Sequence, residues 1–492
     1  MRTNNKSDNG FFTRLKSAFS VSSQCKKISL TQSYSLSNES IRVPLDDCPI
    51  EILLGEESHE LNLVVEEFVG DPAGDVGTTL LLFNPRNFQS KISGFVRIAK
   101  GDHLILGRED DFQQAVLDYP ETVFKRHLSI SHGGDSLVFK DLAGGPGTVF
   151  SPLSADNLDI AGRRRDNLRE VLRIFGGPIQ LLPSDEALRD LKRVNALLEK
   201  EPLRPKDWRG MPGGLVRLPK KMIPIIIGDL HAQMDNLLTL LSQNEFLEQM
   251  SDGKAALVFL GDAVHSEIDG RMEEMESSLL MMDMILRLKL WFPQQVFYVR
   301  GNHDSFSEDI GKDGIPQGLL WAKALVDIRG EAYKKAMDRF YELLPYVAVS
   351  KNYVACHAAP PKGKVDIEML VDIHKYPALI KDVTSNRLYR PNRPAGYTKG
   401  DVKRLRKALK LQGKAELFVG HTPLTRHDTL WSNVGGIEHH DVVFSGNIPW
   451  IGVYTRVKDQ MIPLRYRSEA LLTRINALDG VVFYDELEHL RQ

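Results

Sequence analysis

Cysteine is scarce in this sequence, and its scarcity limits the class of protein to which the chain can belong. Only Cys25, Cys48 and Cys356 occur in 492 residues, a set too small and too odd in number for a disulfide framework. Such usage is typical of a reducing compartment. No uninterrupted apolar run reaches the ~20 residues that a membrane-spanning helix needs. These two absences predict a soluble, cytoplasmic protein without integral membrane association.

An excess of charge of either sign is also lacking. Lys and Arg number 63 against 65 for Asp and Glu, a formal net charge of −2. Because binding to duplex nucleic acid requires a strongly basic domain, we expect no nucleic-acid partner. Apolar residues at 42 % and charged residues at 26 % are the balance of a globular protein with a substantial core. The length predicts two or three domains.

Changes of pattern along the chain predict five segments. Residues 1–45 are rich in Ser, Asn, Gln and Lys, which predicts a disordered tail, although apolar and basic residues at 11–19 also suit a membrane-surface or targeting segment. Short β-type runs between Gly, Pro, Asn and Asp predict an all-β sandwich at 49–183. The remaining segments are a linker at 184–220, an α/β domain of layered β-sheets flanked by helices at 221–468, and a C-terminal helix at 469–492.

Polar side chains follow five predicted strands of the α/β segment, at the point where each strand ends. The apolar runs 223–227 and 255–260, for example, lead directly into Gly-Asp pairs. Ligands usually bind at the carboxyl ends of the strands in α/β sheets, so we expect these side chains to share one rim. The side chains are those of Asp229, His231, Asp262, Asn302, His303, His357 and His421.

Carboxylate, imidazole and amide groups together suit Mn, Fe or Zn better than Ca or Mg. The expected assignment gives Asp229 and His231 to one ion, Asn302, His357 and His421 to a second, and Asp262 to both. Two divalent metal ions about 3.5 to 4 Å apart lower the pKa of a shared water, so we expect metal-bound hydroxide as the nucleophile. His303 adjoins a ligand without being one, and is the expected general acid.

The order Gly-Asp-x-His, Gly-Asp, Gly-Asn-His-Asp, His and Gly-His resembles the calcineurin-like metallophosphoesterase superfamily, in particular the bacterial type of its phosphoprotein phosphatase-like branch. The resemblance implies a phosphatase with two divalent metal ions that hydrolyses phosphate monoesters, on phosphorylated proteins or on small molecules. Two alternatives stay open. One is a bis-nucleoside polyphosphate or nucleotide hydrolase, and the other is a phosphopeptide-binding module with an inactive phosphatase-like domain.

The second block departs from the pattern of that branch, which reads Gly-Asp-x-x-Asp-Arg-Gly. Here His265 replaces the Asp that orients the proton donor, and Ser266 replaces the Arg that binds phosphate. Asp304, which we expect to be catalytic, could orient the proton donor instead. Glu267 is the alternative for this role. Some secreted bacterial effectors of this branch depart similarly, which implies host phosphoproteins and a host cytosol as a further possibility. The residues that we expect to bind substrate are Arg300 and His265, with Arg271, Arg390 and Arg393 as additional cations.

The β-rich segment carries a second resemblance. The stretches 103–108, 125–130 and 139–150 follow the order of a forkhead-associated (FHA) domain, which implies a phosphothreonine-peptide partner. Arg108 matches the phosphate-gripping Arg of that family, a role that suits its planar fork of donors. His127 matches the His that braces the binding loop. The pattern departs at three positions, which are Phe124, Lys125 and Pro146.

Overall fold

The computed structural model describes residues 25–66, 78–86, 95–109, 116–144, 147–153, 160–243, 245–358, 360–390, 396–425, 428–448 and 450–478. The segment at 11–19, residues 479–492 of the expected C-terminal helix, Arg393 and Pro146 lie outside these ranges. The chain divides into two compact units, of which the first ends at Ala161 and the second continues from Gly162.

The first unit is β-rich. Its strands alternate buried and less buried residues, as in Ile50–Leu54, where the first, third and fifth side chains are buried. They are β1 Lys26–Lys27, β2 Tyr34–Leu36, β3 Ser40–Pro44, β4 Ile50–Leu54, β5 His59–Glu66, β6 Thr79–Phe83, β7 Val96–Ile98, β8 His103–Leu106, β9 Leu128–His132, β10 Ser136–Asp141 and β11 Thr148–Pro152. The first three strands lie within residues 1–45, the segment that was predicted to be a disordered tail. One sheet has the order β1-β3-β10-β9-β8 and the other β2-β11-β4-β5-β6-β7.

The second unit contains two further sheets of mixed direction. Their strands are β12 Leu215–Arg217, β13 Ile223–Ile227, β14 Ala255–Phe259, β15 Val296–Tyr298, β16 Val347–Val349, β17 Tyr353–Cys356, β18 Glu416–Val419, β19 Leu430–Trp431, β20 His440–Val443, β21 Trp450–Val457 and β22 Gln460–Arg467. The orders are β12-β16-β17-β18-β20-β19 and β15-β14-β13-β21-β22. Phe418 of β18 packs on Tyr454 of β21 at a ring distance of 4.6 Å, so the two sheets are layered on each other.

Helices cover these sheets. Their apolar faces fill the core, for example Leu370, Val383 and Leu405, which pack with Val354 and Leu417 of the first sheet. The α-helices are Ile160–Phe175, Ser184–Glu199, Met234–Leu241, Phe246–Ser251, Glu276–Trp291, Gln317–Ala324, Glu331–Leu343, Ile367–Val371, Pro377–Ser385, Lys399–Ala408 and Leu472–Ile475, with a π-helical turn at Leu325–Arg329. In the described part of the chain no helix combines the length and the apolar character needed to cross a membrane.

The segment 184–220 was predicted as a linker that begins with a charged helix, and the structure packs this helix into the second unit. Helix Ser184–Glu199 buries Leu191 and Val194 and packs against Glu331–Leu343, where Asn195 Nδ2 donates to the carbonyl of Ala336 at 2.9 Å. Its charged residues suggested an exposed connector, but its apolar residues recur every three to four positions and form a buried stripe. The second unit therefore begins before residue 221.

Candidate metal centre

Parallel strands bring the ends of five predicted strands to two adjacent sheet edges. In one sheet, Ile227 pairs with Phe259, and Phe259 pairs with Tyr298, so the turns after β13, β14 and β15 start at the same level. In the other sheet, Cys356 of β17 pairs with Val419 of β18 in the same way. The bridge between Asp229 and Phe444 connects the edges. This topology places the seven side chains singled out in the sequence close together.

Several of these residues have a backbone conformation that is costly without a glycine. The φ angles of His231, Asp262 and His421 are 45°, 49° and 63°, all in the left-handed region. Such strain is typical of residues whose position matters for a site. Two glycines also make room, because a Cβ on Gly301 would collide with the Asp262 carboxylate, and one on Gly420 would collide with the Asp229 carboxylate.

The first candidate ligand group is Asp262, His357 and His421, whose ligand atoms lie within 4.8 Å of one another. His357 Nε2 lies 3.1 Å from Asp262 Oδ2, 3.2 Å from His421 Nδ1 and 2.9 Å from Asn302 Oδ1. His357 Nδ1 lies 2.8 Å from the carbonyl of Leu260 and donates to it, which leaves the lone pair of neutral His357 on Nε2. Lone pairs on two imidazoles, a carboxylate and an amide therefore converge.

The second candidate group is Asp229, His231 and Asp262, again within 4.8 Å. His231 Nδ1 donates to the carbonyl of His265 at 3.0 Å, so its Nε2 lone pair faces the carboxylates. Asp229 Oδ2 accepts the backbone N–H of His421 at 2.8 Å, while its Oδ1 is buried without a hydrogen-bond partner in the described residues. Asp262 belongs to both groups. Divalent cations fit this set, because oxygen and imidazole donors converge without enough N–H groups to satisfy them.

The electrostatics of the protein alone show how strongly these charges interact. Burial raises the pKa of Asp229 to about 7. Burial also opposes ionisation of Asp262, but His357 and His303 stabilise its anion and hold its pKa below the usual range. Although burial favours neutral His357, Asp262 and Asp229 raise its pKa to about 9. These pKa shifts arise because several ionisable groups are buried close together.

His303 occupies the edge of the cluster. Its backbone N–H donates to Asp262 Oδ1 at 2.7 Å, and its ring stands edge-on to His231 at 5.2 Å. Burial lowers the pKa of His303 to about 4. His303 as a residue is partly exposed, whereas the neighbouring Asp304 is buried.

Three residues expected near substrate have other contacts. Asp304 is fully buried and accepts the Tyr298 hydroxyl and the Gly301 N–H, both at 2.7 Å, so it braces its own loop. Arg300 Nη1 donates to the Tyr346 hydroxyl at 3.0 Å, directing its charge toward that ring. His265 is fully buried and lies against His303 instead of facing a cavity. The sequence could not show these contacts, since each depends on tertiary packing.

Three polar residues near the cluster were missed or left unplaced by the sequence. Glu267 Oε1 lies 3.7 Å from His231 Nε2, and Glu267 Oε2 lies 2.7 Å from Lys312 Nζ. Arg387 Nη1 donates to the Thr422 hydroxyl at 3.4 Å. Burial is the main cause that lowers the pKa of His421, and the charges of His357 and Arg387 act in the same direction. Lys312 and Arg387 lie outside every motif block, so no local signal could have found them.

The first unit places Arg108 and His127 on neighbouring loops. Arg108 Nε donates to the carbonyl of Val123 at 2.6 Å, and the Arg108 N–H donates to the carbonyl of Phe124 at 3.2 Å. His127 is fully buried, with its Nδ1 accepting the Phe124 N–H at 3.4 Å. His127 therefore braces the loop that Arg108 contacts. Phosphopeptide binding by this unit stays a prediction.

Comparison with known proteins agrees with this geometry. Residues 224–448 match the family model of the calcineurin-like phosphoesterases. This part of the chain is therefore similar to a calcineurin-like phosphoesterase domain. The serine/threonine-protein phosphatase 4 catalytic subunit of Eremothecium gossypii is 38 % identical to the chain over 80 residues, which are 16 % of this chain and 22 % of that relative.

Solved structures similar to the chain include a protein serine/threonine phosphatase from Saccharomyces cerevisiae. It has 16 % identity and a TM-score of 0.43, and the match covers 58 % of this chain and 91 % of that one. The cold-active protein-tyrosine phosphatase of a Shewanella species has 11 % identity and a TM-score of 0.34, over 81 % of this chain and 97 % of that one. The family match covers the phosphoesterase domain only, from β13 to the loop that follows β20.

Proposed function

We propose that the phosphoesterase domain hydrolyses phosphate monoesters, with phosphorylated proteins as its substrates. The observation that carries this proposal is the shared carboxylate of Asp262, which belongs to both candidate ligand groups. Two divalent cations held there would supply the Lewis acidity that activates water and stabilises the phosphoryl oxygens. Mn, Fe or Zn suits the mixed donors.

The protein groups around the cluster have roles that follow from their contacts. Backbone carbonyls hold the Nδ1–H groups of His231 and His357, so in the neutral form that binds a metal the Nε2 lone pairs of both rings face the cluster. His303 is tied to Asp262 through its backbone, and the residue is partly exposed. That position suits proton donation to the leaving oxygen of a bound ester.

Arg387 is our candidate for the phosphate-gripping cation. Ser266, which replaces the family Arg, is buried, and its carbonyl accepts Gln317 Nε2 at 2.9 Å, so it cannot reach a bound phosphate. Arg387 instead lies beside Thr422, the residue that follows His421. One charge-assisted contact of this kind contributes about 1.5 to 3 kcal/mol.

The adjoining cavity favours a protein substrate over a nucleotide. It measures about 510 Å³ and is lined by His231 together with Glu267, Asp269, Asp313 and Lys312. Three acids against one lysine repel the additional phosphates of a polyphosphate leaving group. Its apolar wall includes Leu424, Phe444 and the exposed Ile448, which suits apolar or aromatic groups around a phosphorylated side chain.

A substrate panel tests this proposal. Purified protein loaded with Mn is assayed on para-nitrophenyl phosphate, on phosphoserine, phosphothreonine and phosphotyrosine peptides, and on diadenosine tetraphosphate. We expect hydrolysis of the aryl ester and of peptides, with at least tenfold lower kcat/KM on the dinucleotide. Asp262→Asn is the inactive control. Hydrolysis of the dinucleotide alone would show that the protein is a nucleotide hydrolase and would contradict the proposal. If the protein carries its full metal content but hydrolyses none of these compounds, the binding-module alternative would hold.

A further inference from the structure

His265 lies in the loop that departs most from the resembled family, and its backbone is held at both ends. Its N–H donates to Ser278 Oγ at 2.9 Å, and its carbonyl accepts His231 Nδ1 at 3.0 Å. The residue adopts a left-handed φ of 67°. Because two anchors impose this costly conformation, the direction of the side chain is fixed by the fold.

The side chain of His265 fills the space between His303 and the protein interior. Its Nδ1 lies 2.9 Å from His303 Nδ1, and the ring centroids are 5.1 Å apart. On another side the indole of Trp321 stands at 85° to the His265 ring, with a centroid distance of 6.1 Å. Both His265 and Trp321 are fully buried, so His265 cannot touch a substrate.

We propose that His265 is a positioning residue for His303, whose ring it holds through the Nδ1–Nδ1 hydrogen bond so that Nε2 serves the leaving oxygen. This inference rests on the proposed phosphatase function. Between two ring nitrogens only one proton can be shared. When His303 Nδ1–H donates, neutral His265 accepts, and the proton that His303 gives away must leave from Nε2. A buried imidazole thereby does the work that a carboxylate does in the resembled family.

The proton step balances without any further reactant. His303, protonated on both nitrogens, gives the Nε2 proton to the ester oxygen as the P–O bond breaks, and the electron pair of that bond stays on the oxygen. The leaving group departs as an alcohol or phenol. The attacking water bonds to phosphorus through its oxygen and releases one proton to solvent, and solvent returns one proton to His303. His303 Nδ1–H donates to His265 throughout, so the ring keeps its orientation through the cycle.

Other candidates for this role have different contacts. Asp304 accepts from Tyr298 and Gly301, and both of its oxygens are used in its own loop. Glu267 is paired with Lys312 at 2.7 Å. Among the described residues, only the side chain of His265 forms a hydrogen bond with a ring nitrogen of His303.

Leaving-group dependence tests the inference, because only poor leaving groups need a proton. Mn-loaded wild type, His265→Ala and His265→Asp are compared on para-nitrophenyl phosphate and on phenyl phosphate, with metal content measured for each. We expect His265→Ala to lose at least thirtyfold in kcat/KM on phenyl phosphate but less than fivefold on the nitrophenyl ester. The Asp variant should recover at least tenfold of the loss on phenyl phosphate, since a carboxylate can also accept from His303 Nδ1–H. His265→Leu, which retains more side-chain volume without an acceptor, replaces the Ala variant should the latter fail to fold.

The matched control is His440→Asn. His440 is equally buried in the same domain, and its Nε2 bonds the Tyr397 hydroxyl at 2.8 Å. It should keep the wild-type ratio of the two esters. When His303→Ala is already present, adding His265→Ala should alter the rate on phenyl phosphate by less than twofold. Equal losses on both esters at full metal content, or additive losses in the double variant, would overturn the positioning role. Failure of the wild type on both esters would instead remove the phosphatase function itself.

Discussion

Gly420→Ala is a sharp test of the metal centre, because it changes no candidate ligand. A Cβ at this position would collide with Asp229 Oδ1 and would lie 3.1 Å from Asp229 Cγ. Non-bonded heavy atoms in contact are normally about 3.5 to 4 Å apart, and Oδ1 is the closest atom, so the carboxylate must move by roughly 1 Å or more. Asp229 also holds the His421 N–H at 2.8 Å, so the shift would disturb both candidate groups.

The expected result of Gly420→Ala is a loss in both metal content and rate. Disturbing the support of a ligand typically costs 10- to 100-fold in metal affinity, and a misplacement of about 1 Å can cost 10²-fold in rate. Metal content by elemental analysis and kcat/KM on para-nitrophenyl phosphate measure the two effects. Gly413→Ala is the control, because a Cβ there meets nothing within 4 Å. Wild-type metal content and rate in Gly420→Ala would refute the assignment of Asp229 as a ligand.

Four further outcomes are expected. Asp262→Asn should lower metal content and abolish turnover, and unchanged turnover would remove the bridging role. His303→Ala should keep its metal and lose about 10²- to 10⁴-fold in kcat, the usual contribution of a general acid; an equal loss of metal would make it a ligand. Arg387→Ala should raise KM for a phosphopeptide by about 10- to 100-fold at unchanged metal content, which steady-state kinetics would show. Burial lowers the pKa of His440 to about 4, so its contribution to stability is present above the unfolded value of about 6.5 and is lost as pH falls toward about 4. Between pH 7 and pH 5, wild type should therefore lose roughly 2 kcal/mol more of its free energy of unfolding than His440→Asn does, as urea unfolding of both would show.

The pattern of apolar runs predicted the strands that carry the candidate ligands. The runs 223–227 and 255–260 correspond to β13 and β14, because a buried parallel strand needs a continuous apolar stretch and a glycine where it turns. The resemblance of the motif order implied a metallophosphoesterase fold, and the family match at residues 224–448 supports it. The short β-type runs of the first half likewise correspond to strands such as β5 and β6.

Packing between distant segments was beyond the sequence pattern. Helix Ser184–Glu199 was taken as part of a linker, yet it packs on a helix more than 130 residues away. Its partner is not encoded in its own periodicity, which shows only that one face is apolar. The same limit applies to Arg300, which carried a predicted substrate role but donates to Tyr346.

The sequence by itself determined which residue types stand at the strand ends, and so it determined the chemistry that the chain can perform. Local rules suffice there, since an apolar run followed by Gly-Asp or Gly-His leaves few conformations open. Only the tertiary structure decided which side chains face one another. Arg387 lies beside Thr422, and His265 is buried against His303, because helices and loops from separate parts of the chain close around the two sheet edges. The direction of a side chain depends on those neighbours, and residue spacing along the chain does not specify them.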